Sequence, residues 1–109
     1  MIVCLPVTDE GELDPSWGRA ERVAVAEVGP DGILGWAEHD VGWGRLHDAG
    51  SEGSHHARIA CFLLDHEVEA VVASHMGAGM EHMLGKMGIR VRLGAAGPAR
   101  EAALAALDA

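Results

Sequence analysis

The order of segments along the chain predicts an α/β domain built on one mixed five-stranded sheet with three helices. Two observations carry this expectation. Short apolar runs rich in β-branched residues, "MIVCLPV", "VEAVVAS" and "IRVRLG", alternate with segments of helical periodicity. A "GPDG" turn joins two alternating stretches ahead of the first helix, which inserts an antiparallel hairpin early in the chain. Crossovers between parallel strands are right-handed. The first strand therefore belongs in the middle, beside both the hairpin and the fourth strand. The expected order is 3-2-1-4-5 with only strand 2 antiparallel.

Each element has its own warrant. "MIVCLPV" reads as a buried strand over residues 2–7, and the polar "TDEGELDPSWGR" after it as a long loop over 8–19. "AERVAVAEV" and "ILGWAEHD" form the hairpin, with strands near 21–28 and 32–39. A glycine-rich loop, "VGWGRLHDAGSEGS", leads to a helix with Ser54 as its N-cap, Ile59, Phe62 and Leu63 at helical spacing, and His66 in its last turn. "VEAVVAS" is a buried strand and "GAGMEHMLGKM" a helix stopped by Gly88. "IRVRLG" is the last strand, and "GPAREAALAALDA" a helix over 97–109 that begins at Gly97 and Pro98.

This topology sends the 8–19 loop, the 40–54 loop and the turns after strands 4 and 5 to one edge. That edge holds the carboxyl ends of the parallel strands, where open α/β sheets bind ligands. His39, His47, His55, His56 and His75 map there, whereas His66 and His82 do not. Imidazole is a common neutral metal ligand, so His47, His55, His56 and His75 are the candidate metal ligands. Solvated or capping histidines are the alternative.

Composition narrows the function classes. At 109 residues, 49% hydrophobic and 23% charged, the chain reads as one globular domain over residues 1–109. The formal charge is −9 and the arginines are scattered, so there is no cationic stripe for nucleic acid. The acidic "TDEGELD" soon after the amino terminus argues against a signal peptide, and no apolar stretch is long enough for a bilayer. Cytoplasmic location is the expectation. Cys4 and Cys61 read as buried reduced thiols. Trp36 and Trp43 are expected exposed on the hairpin side, leaving room for a homodimer contact.

The stretch "SHMGAGMEHM" lacks the lysine of a phosphate loop and the third glycine of a dinucleotide fingerprint. Gly77 and Gly79 still permit a tight turn and close approach of a ligand. Met76, Met80, Met83 and Met87 follow one helix face, as core packing does, with a copper(I) thioether site as the alternative. No carboxylate interrupts "MIVCLPV" or "VVAS", which disfavours a magnesium-dependent hydrolase, and there is no nucleophile elbow.

Taken together, "MIVCLPV", "WGRAERVAVAEV", "VEAVVASHMGAGMEHMLGKMGIRV" and "LGAAGPAREAALAAL" resemble the dinitrogenase iron-molybdenum cofactor biosynthesis family over nearly the whole chain. The resemblance implies a ribonuclease H-like motif and a non-enzymatic carrier or chaperone. Its cargo would be a metal–sulfur cluster of iron-molybdenum type, a precursor or a transition metal ion, with cofactor-assembly proteins as partners. It also implies cluster contact at Ser16, Trp17, Gly18, Gly77 and Gly79. Many members carry H-F-G where this chain has Ser16, Trp17 and Gly18. Ligation from His47, His55, His56 or His75 would replace the missing histidine. A metal-free regulatory module of the same fold is the alternative, and a ribonuclease H-like hydrolase a weaker one.

Overall fold

The computed structural model describes residues 1–106, the side chain of Glu52 excepted. Five strands form one sheet: β1 (Ile2–Pro6), β2 (Arg22–Gly29), β3 (Gly32–Asp40), β4 (Ala70–Val72) and β5 (Arg90–Arg92). Their order is β3-β2-β1-β4-β5, with β2 antiparallel to both neighbours and β1, β4 and β5 parallel, as the sequence predicts. Between β2 and β3 the register shifts at Glu27 and Val28, a bulge in an otherwise regular hairpin.

Among the described residues there are four helices rather than three: α1 (Trp43–His47), α2 (Glu52–Asp65), α3 (Ala78–Lys86) and α4 (Ala99–Ala105). The extra one, α1, lies inside the expected 40–54 loop. Gly42 enters it at φ 57°, a left-handed conformation that suits glycine. Trp43 then anchors it, buried against Trp17 at 5.2 Å between ring centroids and against Phe62 at 5.7 Å. The expected exposure of Trp43 is therefore wrong, and Trp36 is half-buried under Arg100, 4.5 Å above its ring.

Helix α2 starts earlier than expected. Ser51, not Ser54, is the N-cap, and its hydroxyl accepts from the Ser54 amide at 3.1 Å. His55 and His56 stand in the first turn and a half of the helix, as expected, though one turn further from its start. Cys61 is exposed on α2, against expectation, whereas Cys4 is fully buried and burial pushes its thiol pKa up. The part of the last predicted helix over 107–109 lies outside the described residues.

Two cores sandwich the sheet. On one face Cys4, Val23 and Val71 meet Ile59 and Leu63 of α2 and Met80 and Leu84 of α3. The other carries Val3, Leu5, Ala24, Ala26 and Val72, covered by Ala99, Ala102, Ala103 and Ala106. Alanines let α4 lie close on the sheet. Full burial of each large aliphatic side chain contributes about 1.5–3 kcal/mol, so these cores hold the scaffold on which the loops are mounted. Met80 is buried in this core and Met76, Met83 and Met87, each half-buried, pack against it, so the methionine face belongs to the core.

Candidate functional site

A cleft of about 280 Å³ opens at the carboxyl end of β4, on the α2 and α3 face of the sheet. Its walls come from three segments: Ser16–Arg19 of the first loop, His47, His55 and His56 from α1 and α2, and the β4–α3 turn from His75 to Met80. All nine residues singled out from the sequence line it, namely Ser16, Trp17, Gly18, His47, His55, His56, His75, Gly77 and Gly79. Arg19, Met76, Ala78 and Met80 line it as well. Arg19 directly follows the Trp-Gly pair, so its place in the wall was open to reading.

The four loops meet at this edge as expected: the Leu13 amide donates to the Gly97 carbonyl and the Gly94 amide to the Ser74 carbonyl, each at 2.8 Å. Only three of them wall the cleft, because α4 packs on the opposite face of the sheet. One expectation needs correction: His39 is not in the cleft wall, and its ring lies 4.7 Å from that of His66.

The first loop is held in place by its own polar atoms and by α1 and α2. The Ser16 amide donates to Asp14 Oδ1 at 2.9 Å, the Trp43 amide to the Ala20 carbonyl at 2.9 Å, and Trp17 is buried beneath the cleft wall. Gly44 is required here, since a Cβ on it would sit 2.8 Å from the Arg19 carbonyl oxygen. His55 supplies the cross-link from α2. Its Nε2 lies 2.7 Å from the Gly18 carbonyl and its Nδ1 2.9 Å from Arg58 NH1. A guanidinium only donates, so Nδ1 is the acceptor and Nε2–H donates to Gly18. Burial lowers the His55 pKa, against an opposing contribution from the Gly18 bond and with help from nearby His47, Arg58 and His56. The neutral ring therefore has both nitrogens engaged, and a ligand role for His55 would cost one of these bonds.

The remaining imidazoles sit differently. His75 is exposed at the β4–α3 turn. His47 packs edge-on against His55 at 4.9 Å, with Nδ1 buried and 3.5 Å from Asp48 Oδ1. Asp48 is held below the usual carboxylate range, first by its hydrogen bond with Arg19 and then by His47. His56 approaches α3 at Gly79, where a Cβ would lie 3.4 Å from its Cε1. Gly77 has φ −67°, an ordinary extended conformation with open space beside it. The turn between β4 and α3 therefore makes no use of glycine's conformational freedom at Gly77.

Electrostatically the cleft differs from the rest of the molecule. Among the described residues no Asp or Glu lines this cavity, although Asp48 stands behind its wall, 3.2 Å from the Arg19 guanidinium and 3.5 Å from His47 Nδ1. Gly77 caps α3 without a side-chain acceptor, so the positive end of the helix dipole is presented at the wall. Trp17 Nε1 is buried with no hydrogen-bond partner among the described residues. An unpaired buried donor costs about 1–3 kcal/mol.

The sequence profile described as dinitrogenase iron-molybdenum cofactor matches residues 1–109. The chain belongs to the dinitrogenase iron-molybdenum cofactor family. No curated protein matches it. Its fold is similar to that in the crystal structure of PH0822, with a TM-score of 0.78 at 17% identity, covering 99% of this chain and 89% of that one. It is also similar to the NMR structure of a putative NifB protein from Thermotoga, TM1290, described as belonging to the DUF35 family. There the TM-score is 0.69 at 20% identity, covering 98% and 87% of the two chains.

For a member of the dinitrogenase iron-molybdenum cofactor family, the donor set has a definite character. Among the described residues no group of three or more His, Cys, Asp or Glu side chains is placed to hold one metal ion. What the cleft does offer is separated imidazoles, the thioethers of Met76 and Met80, and hydrogen-bond donors. Among the described residues no helix is long and apolar enough to cross a membrane.

Proposed function

We propose that this chain is a non-enzymatic carrier for a metal–sulfur cluster of the iron-molybdenum type, or a precursor of it, during cofactor assembly. The observation that carries the reading is a cleft lined by imidazoles and the amino end of α3 and, among the described residues, by no carboxylate, in a chain whose formal charge is −9. A sulfide-bridged cluster is bulky and anionic, so hydrogen-bond donors and a helix dipole suit it. His75 is the primary ligand, being exposed at the turn that forms the rim, and His47 is a second point of attachment. Ser16 stands where many relatives carry histidine, and contributes its hydroxyl rather than a strong ligand. His55 holds the loop instead of the cargo.

Attachment at one or two points leaves the cargo exchangeable, as a carrier requires, whereas a trapped catalytic metal needs a complete and supported first shell of ligands. That contrast supports a cluster over a bare ion. Magnesium-dependent hydrolysis of the ribonuclease H type calls for carboxylates around the metal, and none of the described residues lining this cleft is one. We read the arrangement of the sheet as ribonuclease H-like, used as a scaffold. The partners are the proteins that donate and accept the cluster.

The test is protein purified without oxygen, mixed with isolated iron-molybdenum-type cluster and followed by metal analysis and visible absorption. Wild type retains iron and molybdenum after desalting, and His75→Ala loses most of both. Wild type that retains neither metal supports the metal-free regulatory module instead.

A further inference from the structure

Away from the cleft, His39 at the end of β3 and His66 at the C-cap of α2 meet, with ring centroids 4.7 Å apart and planes tilted by 56°. Phe62, one turn before His66, packs against both rings, 4.4 Å from His66 and 5.6 Å from His39. Both imidazoles are half-buried, so packing limits their rotation. The hydrogen bonds and ion pairs of the described residues engage neither ring. We propose that His39 and His66 form a two-imidazole site for a divalent transition ion of borderline softness such as zinc, nickel or copper(II), with water completing the coordination.

The chemistry follows from the geometry. Metal–imidazole bonds are about 2.0–2.1 Å, so two nitrogens on one ion sit roughly 3 Å apart. Two imidazoles bound to one ion through ring nitrogens at that separation have centroids roughly 4.5–5 Å apart, and the 4.7 Å between His39 and His66 matches this spacing. His66 caps the carbonyl end of a 14-residue helix, whose partial negative charge favours a cation. The formal charge of −9 acts in the same sense at longer range. Neutral imidazoles select borderline ions over magnesium or calcium, which take oxygen ligands. The site bridges the edge strand to the end of α2, so occupancy would pin two elements distant in sequence. It shares no residue with the cleft and does not depend on the carrier reading.

The test is a zinc titration of the EDTA-treated full chain, followed by imidazole resonances in heteronuclear NMR. One equivalent of zinc is expected to move the His39 and His66 signals together. His39→Gln and His66→Gln should each weaken zinc binding at least tenfold, while His75→Gln leaves those two signals responding as in wild type. Zinc that shifts only the cleft histidines, or that binds both variants as tightly as wild type, overturns the proposal. Melting curves in EDTA report whether each variant folds, and the wild-type spectra decide the matter if one does not.

Discussion

His55 and Gly18 lie 37 residues apart in the chain and are joined by a 2.7 Å hydrogen bond from the ring Nε2–H to the backbone carbonyl. The bond ties α2 to the loop that carries Ser16 and Trp17, so one wall of the cleft is fixed by a buried imidazole. Arg58 sets the direction of that bond by donating to the other ring nitrogen. Replacing His55 with alanine leaves the Gly18 carbonyl without its partner and opens a void against the loop. The expected loss is about 2–4 kcal/mol of unfolding free energy. Urea denaturation measures it, and a loss below about 0.5 kcal/mol would mean that the bond does not hold the loop.

The same residue imposes a pH dependence. Its folded pKa is depressed, so the unfolded chain binds more protons than the folded one as pH falls below the ordinary histidine value near 6.5. The His55 contribution is complete above that value and is lost progressively as pH drops toward the folded pKa. Melting midpoints taken between pH 7.5 and 5 should fall with acidity. The slope should be shallower in His55→Gln than in wild type. Equal slopes would remove His55 as the cause.

Gly44 should tolerate no side chain, because its Cβ would meet the Arg19 backbone oxygen at 2.8 Å. The oxygen belongs to the backbone and a Cβ is fixed rigidly to its own, so relief requires moving α1 away from the first loop. Gly44→Ala is predicted to destabilise by about 1–3 kcal/mol. Gly53→Ala, in open space on α2, is the control, and its stability should equal or exceed that of wild type.

Gly77→Ser should separate stability from cargo binding. The extended backbone at Gly77 accepts any residue and has room for a side chain. A serine there can cap α3 and should add about 0.5–1 kcal/mol. Its hydroxyl would also occupy amide donors that the proposed cargo uses, so cluster retention should fall as the melting midpoint rises. A parallel rise in both would place the cargo away from the end of α3.

The sheet was legible because the alternation of β-branched runs with helical segments, combined with the handedness of crossovers, leaves β1 one place to go. The cleft was legible for a related reason: loops following parallel strands gather at one edge, and Ser16, His47, His55 and His75 all lie in or beside such loops. Helix α1 was hidden because it is only five residues long, follows Gly42 and holds Gly44 in its interior, which weakens any local helix preference. Burial of Trp43 against Trp17 and Phe62 makes it a helix, and that contact is tertiary. The same limit applies to His55. Sequence placed it near the edge, but only side-chain geometry shows both nitrogens committed. His39 was assigned to the rim from its position at the end of a strand, whereas packing carries it to the far end of α2, beside His66.

The central claim is tested most directly by adding isolated iron-molybdenum-type cluster to the protein without oxygen and following co-elution of metal and protein by gel filtration. One cluster per chain is predicted for wild type, with at least a tenfold weaker hold in His75→Ala and an unchanged hold in His82→Ala, whose exposed ring lies outside the cleft. Cluster that elutes apart from wild-type protein, or that binds His75→Ala as tightly as wild type, would contradict the account.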